Sequence, residues 1–490
     1  MPRPLGVLAE QAFSRAAGAP LIDGNAVRLL KDARENYPAW LDAIRGARKW
    51  IHFESYIIHE DVSGKEFAQA LMERARAGVR VRLIYDWVGA LTATTWMFWE
   101  RLRKAGVDVR AFNQPRLDSP LGWLSRDHRK MIGVDGNVGF ITGLCVGDMW
   151  AGGGRYKGPD PWRDTGVEIR GPAVADIEEA FGDAWSTTGS PLPEDERIVD
   201  DQCPVAGTTA LRVIATKPAT GGMFRLDQLV AAMARKTLWI TDAYFVGASP
   251  YMQALVAAAE DGVDVRMLVP GGTDLPLVQP LTRAGYRQLI EAGVRIFEWN
   301  GSMVHAKTAV ADSRWARVGS SNLNLQSWLG NWELDVAIDD EDFGRQMEAM
   351  YLADLENATE IVLSARRVRR ATPPTGPRSM PRPSWSHRTG RTRRAATAGA
   401  LRLGRTFGDA LTARRALGAA EAWTLLYGTL LLGAIGVVAL RWPNAVAYPL
   451  GLFLLWVSVA WIIQSIKLWV RRRERPLPAK NVPGQREDAA

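Results

Sequence analysis

Apolar and polar positions along the chain sort into strand-like runs separated by amphipathic helical ones, and the order occurs twice. KWIHFESYII (49–58) reads as a strand, SGKEFAQALMERARAGV (63–79) as an amphipathic helix, and VRVRLIYD (79–86) as a second strand. Gly78 suits the C-cap of that helix. Further on, TLWITDAYFV (237–246), YMQALVAAAEDGV (251–263) and VDVRMLVP (263–270) repeat strand, helix and strand. Such a connection joins parallel neighbours in one sheet. Two further crossovers, RLRKAGVDVRAFN (101–113) and QLIEAGVRIFEWN (288–300), each end in a strand. The pattern predicts a duplicated α/β fold, with a first half over 1–205 and a second over 206–365.

Beyond residue 365 the pattern changes. Residues 366–415 hold fourteen Arg and a single Asp among many Pro, Gly, Ser and Thr, which predicts a flexible basic linker. Two apolar stretches follow within 416–475, WTLLYGTLLLGAIGVVAL (423–440) and a second beginning at Ala445, uncharged to Ile466, with its span ending near residue 468. Their length predicts a two-helix transmembrane hairpin, followed by a disordered tail over 476–490. Arg414 and Arg415 precede the first stretch, and Arg471, Arg472, Arg473 and Arg475 follow the second. That bias predicts a multi-pass inner-membrane protein whose N-terminal region faces the cytoplasm. The basic linker would then meet anionic headgroups, and a membrane tether argues against nucleic acid as the partner.

Composition narrows this further. The formal charge of +8 admits nucleic acid, an acidic membrane surface or a phosphorylated substrate. Two cysteines, Cys145 and Cys203, make neither a disulfide framework nor a zinc pattern. No cofactor or metal is expected.

The chemistry resides in a second repeat inside the first. HRKMIGVD (128–135) and HAKTAVAD (305–312) each hold a His, a Lys two positions later and an Asp five positions after the Lys. Only five histidines occur in the chain, and two stand at equivalent places in this motif. Both motifs read as strands, which would place His128 with Lys130, and His305 with Lys307, on one strand face each. Phosphodiester exchange needs a nucleophile, a proton donor for the leaving alkoxide and fixed positive charge at the phosphoryl oxygens. Two histidines and two lysines supply these without a metal. His128, Lys130, Asp135, His305, Lys307 and Asp312 are therefore candidate catalytic residues. Ser320 and Asn322, in GSSN (319–322), can donate to phosphate or orient the neighbouring His and Lys. The matching segment of the first half is TGLC (142–145), with Cys145 in the place of Asn322. Asp164 in PWRDTG and Glu333 in NWELD are candidates for pairing with the histidines. Which carboxylate serves which histidine is left open.

The doubled motif with GSSN behind its second copy resembles the phospholipase D superfamily, and more narrowly the bacterial cardiolipin synthases. The phrases that carry the likeness are IHFESYII, DHRKMIGVDGNVGFITGL, PWRDTG, GPAV, MVHAKTAVAD and VGSSNLN, over roughly residues 20–360. The resemblance implies a pseudo-two-fold α/β/α/β sandwich with its site where the halves meet. It implies His128 as nucleophile and His305 as acid and base. It also implies a phosphatidyltransferase that joins two phosphatidylglycerol molecules through a phosphohistidine and releases glycerol. The alternatives are a hydrolytic phospholipase D, a nuclease and an inactive lipid-binding homologue. The sequence departs from the family at Cys145, where Asn is usual, and at Gly166, where His is often found.

Overall fold

The structure is a computed structural model. It describes residues 4–115, 124–154, 156–158, 160–198, 203–275, 278–363 and scattered positions between 433 and 463. The chain divides into two units, residues 1–361 with 442–490, and residues 362–441. The fold below belongs to the first of these.

The first half contributes β1 (Ile22–Lys31), β2 (Trp50–Ser55), β3 (Arg80–Asp86), β4 (Asp108–Phe112), β5 (Lys130–Val134), β6 (Val138–Thr142) and β7 (Thr165–Arg170). The second contributes β8 (Thr209–Thr216), β9 (Thr237–Thr241), β10 (Asp264–Pro270), β11 (Arg295–Trp299), β12 (Thr308–Ala311), β13 (Trp315–Gly319), β14 (Glu333–Asp339) and β15 (Ala358–Ile361). Among the described residues all pair into one sheet, in the order β15-β11-β10-β9-β12-β13-β14-β8-β1-β7-β6-β5-β2-β3-β4. Read outward from the central β8–β1 pair, the two directions match strand for strand until β15. The crossover pairs β2–β3, β3–β4, β9–β10 and β10–β11 are parallel, as the strand–helix–strand pattern predicts.

Helices cover both faces. Val174–Thr188 and Glu341–Leu355 occupy equivalent places after β7 and β14. They pack with both halves' strands into one apolar cluster that includes Ile177, Phe181, Trp185, Phe343, Met347 and Tyr351. Two other clusters, one per half, lie under the crossover helices such as Val62–Arg76 and Ser249–Glu260. The middle cluster belongs to neither half alone, so the duplicated sandwich is held together by shared apolar burial.

The C-terminal expectation is corrected. Among the described residues no helix is long and apolar enough to cross a membrane, which overturns the transmembrane hairpin and with it the multi-pass inner-membrane placement. An apolar run meets only one of two physical requirements. A span also needs roughly 20 residues in one continuous helix, so that every backbone polar group is satisfied internally. Residues 423–432, the linker 366–415 and the tail 476–490 lie outside the described residues.

Candidate active site

Each histidine motif begins just before its strand. β5 opens at Lys130 and β12 at Thr308, so His128, His305 and Lys307 precede the ladder they were expected to join. The reason lies across the molecule. The His128 backbone N–H donates to Trp332 O at 2.9 Å, and the His305 N–H to Arg163 O at 2.7 Å. Mirrored bridges, Asp127 with Trp332 and Arg163 with Val304, tie each histidine loop to the opposite half.

The carboxylates follow the same crossing. His128 Nδ1 bonds Glu333 Oε2 of the second half at 2.8 Å, and His305 Nδ1 bonds Asp164 Oδ2 of the first half at 2.6 Å. A carboxylate on Nδ1 holds the proton there and leaves Nε2 with its lone pair. Glu333 also accepts from Ser320 Oγ at 2.6 Å and Asn331 Nδ2 at 3.1 Å. Asp164 accepts from Trp150 Nε1 at 3.2 Å and from the Thr165 N–H at 2.8 Å. A Cβ at Gly143 would lie 2.2 Å from Asp164 Oδ1, so the place that holds Ser320 in the second half must be glycine in the first.

His128, Lys130, His305 and Asn322 line one cavity of 620 Å³, with Tyr56 and Tyr244 at matching places. Lys307 is buried against the His305 ring, its Nζ 2.9 and 3.0 Å from the two ring nitrogens. Burial lowers His305 to about 4, with the Lys307 charge adding to it, although Asp164 opposes. His128 is lowered for the same first reason, against Glu333. Burial would raise Asp164 and Glu333, but their histidine partners and the lysines hold both below the usual carboxylate range. Both histidines are thus held neutral at neutral pH, with an ionised carboxylate behind each and the two lysines beside them.

Lys307 gives this a testable form. Burial and the neighbouring Lys130 bring its ammonium down to about 8, against the attraction of Asp164. Above that pH the charge is lost, so kcat/KM is expected to fall with an alkaline limb near pH 8 rather than in the ordinary lysine range. A pH–rate profile of Lys307→Arg, whose charge persists, should show the limb moved upward.

Asp135 and Asp312 are not brought to the cavity. A strand advances about 3.4 Å per residue, so an Asp five positions beyond the Lys lies roughly 17 Å away. Asp135 accepts from the N–H groups of Arg48, Lys49 and Trp50 at 2.7, 2.7 and 2.8 Å. Asp312 accepts from Arg235, Lys236 and Thr237 at 2.9, 2.7 and 2.9 Å. Each anchors the start of the neighbouring strand, with its own φ near +54° and +52°. Cys145 lines the cavity but is 2 % exposed, and burial pushes its thiol up. A Cβ at Gly166 would meet Asn36 Oδ1 at 2.2 Å, so the local packing admits no side chain there.

His59, outside both motifs, also lines the cavity. Trp150 and Trp162, which no motif above singled out, have rings 5.6 and 5.5 Å from the His305 ring. The adjacency of Trp162 to Arg163 and Asp164 in PWRDTG was the available signal. His387 lies outside the described residues.

Comparison with known proteins fits this geometry. The family model described as "Cardiolipin synthase, PLD-like domain" matches residues 40–146 and 229–355, one segment around each motif. Cardiolipin synthase A of Pseudomonas putida (strain W619) is 35% identical over 363 residues, covering 72% of this chain and 73% of that protein. The chain belongs to the phospholipase D superfamily. Cardiolipin synthase A of Pseudomonas aeruginosa (strain LESB58) is likewise 35% identical, over 368 residues, 73% of this chain and 72% of that protein. The crystal structure of phosphatidylserine synthase from Haemophilus influenzae Rd KW20 superposes with a TM-score of 0.55 at 14% identity, covering 72% of this chain and 92% of that one, which shows the shared fold. As a phospholipase D-superfamily enzyme related to bacterial cardiolipin synthase A, the chain carries out phosphodiester-transfer chemistry.

Proposed function

We propose that this enzyme is a cardiolipin synthase-like phosphatidyltransferase acting on phosphatidylglycerol. His128 Nε2 attacks phosphorus and the bond to the glycerol oxygen breaks. His305, protonated once the anionic substrate is bound, gives its proton to that oxygen, and glycerol leaves. A hydroxyl of a second phosphatidylglycerol then loses its proton to His305 and attacks phosphorus, and the bond to His128 breaks. Lys130 and Lys307 hold the phosphoryl oxygens throughout. Glu333 and Asp164 fix the ring orientations, and Ser320 holds Glu333.

The observation that carries the reading is the pair of buried histidines facing one cavity, each bonded to a carboxylate of the opposite half. Similarity to the cardiolipin synthases supports the lipid substrate and the division of roles. The test is to incubate the purified full chain with phosphatidylglycerol vesicles and quantify lipids and free glycerol. Cardiolipin and glycerol in equal amounts are expected. Phosphatidic acid as the sole lipid product would replace transfer by hydrolysis.

A further inference from the structure

The two sides of the cavity are built on one plan but lined with opposite chemistry. From the histidine motifs through the loop behind them, a second-half residue is its first-half counterpart plus 177, as His128 and His305 show. By this rule Cys145 corresponds to Asn322 and Trp150 to Ser327. Around the crossing carboxylates the offset is 169, from Asp164 and Glu333, so Trp162 corresponds to Asn331. All six side chains line the cavity. In every pair the first-half member is apolar or soft, and the second-half member is an amide or hydroxyl.

Because the halves cross, the two first-half tryptophans meet the second half's histidine. Trp150 and Trp162 stand against His305, 5.0 Å apart between ring centroids, whereas the tyrosines are shared by both sides, Tyr244 5.8 Å from His305 and Tyr56 5.0 Å from His128. Trp150 has committed its one donor to Asp164 and is 3 % exposed, so it turns only ring surface to the cavity. On the other side, Asn331 bonds Glu333, the partner of His128. The buried Asn322 Oδ1 has no protein partner and remains an acceptor.

We infer that the Trp150–Trp162 wall beside His305, with Cys145 lining the same cavity, is the acceptor subsite and favours transfer over hydrolysis. This rests on the roles proposed above, in which His305 deprotonates whatever attacks phosphohistidine. An ordered water needs two to four polar partners. At this wall it finds His305 and, beside Trp150, His59, while the indole faces hold it only weakly. A hydroxyl carried on a lipid needs only His305, because its carbon body packs against the indoles. Had the two walls been exchanged, an attacking water would meet the amides and hydroxyl that Asn322, Ser327 and Asn331 now offer.

The experiment measures the ratio of phosphatidic acid to cardiolipin formed by the full chain in phosphatidylglycerol vesicles. A ratio taken within one sample does not depend on the folded fraction. Trp162→Asn copies the opposite wall, and Cys145→Ser adds a hydroxyl with almost no change in volume. Each is expected to raise the ratio by roughly three- to ten-fold, the worth of about one hydrogen bond gained by water. Trp162→Phe and, on the opposite wall, Ser327→Ala should keep the wild-type ratio. An unchanged ratio in both Trp162→Asn and Cys145→Ser overturns the inference. So does complete loss of turnover in both, which would make these residues necessary for the chemistry itself rather than for choosing the acceptor. A wild-type enzyme that makes only phosphatidic acid would defeat the transferase reading instead, which keeps the two failures apart.

Discussion

His128→Ala is expected to lower phosphodiester turnover by roughly 10⁴-fold or more, the scale for removing a nucleophile that acts as a unit with its acid–base partner. His305→Ala should be comparably damaging on phosphatidylglycerol, whose leaving glycerol needs a proton. The two variants separate on a phosphodiester with a good leaving group, such as a p-nitrophenyl ester. There the first step needs no proton, so burst release of nitrophenol should return in His305→Ala and stay absent in His128→Ala. The opposite pattern would exchange the two roles. Buried positions 9 % and 5 % exposed, each tied to a carboxylate of the other half, make solvent or a neighbouring side chain a poor substitute for either ring.

Arg163→Met should cost about 3–5 kcal/mol of stability, the range for breaking a buried ion pair from one side. Arg163 is 4 % exposed and bonds Asp354 through Nε and Nη2 at 2.9, 3.1 and 2.8 Å. Its Nη1 reaches Asp32 at 3.2 Å and Thr165 Oγ1 at 2.9 Å. Met would leave the Asp354 carboxylate buried with only Lys31, 3.3 Å away, to balance it. Urea denaturation measures the loss. Arg163→Met with Asp354→Leu should regain most of it, because the stranded charge is then gone. A double variant no more stable than the single one would place the damage elsewhere. The backbone of Arg163 also receives the His305 N–H, so this link joins the stability of the sandwich to the placement of the acid–base residue.

The strands, the crossover helices and the duplication were legible because apolar periodicity is local and the parallel connections leave little topological choice. The histidines and lysines were legible because their repetition inside a structural repeat is itself the signal. Asp135 and Asp312 share that repetition, and it misled: they recur because each half needs the same three backbone N–H groups capped at the start of a strand. Spacing records that a residue is needed and not what for. For the C-terminal apolar stretches the outcome differs from the hydropathy reading, since among the described residues no helix is long and apolar enough to cross a membrane.

By itself the sequence determined the duplicated α/β architecture, the positions of the two His–Lys pairs and the family, with its phosphodiester-transfer chemistry, to which the chain belongs. Only the tertiary structure decided that Glu333 pairs with His128 and Asp164 with His305, that the motif aspartates stand at the far ends of their strands, and that Trp150 and Trp162 flank His305 while Asn331 bonds the carboxylate partner of His128. The physical reason is that the two histidine loops bond across the interface between the halves. Partners separated by 205 and 141 residues then meet through backbone bridges that no local pattern encodes.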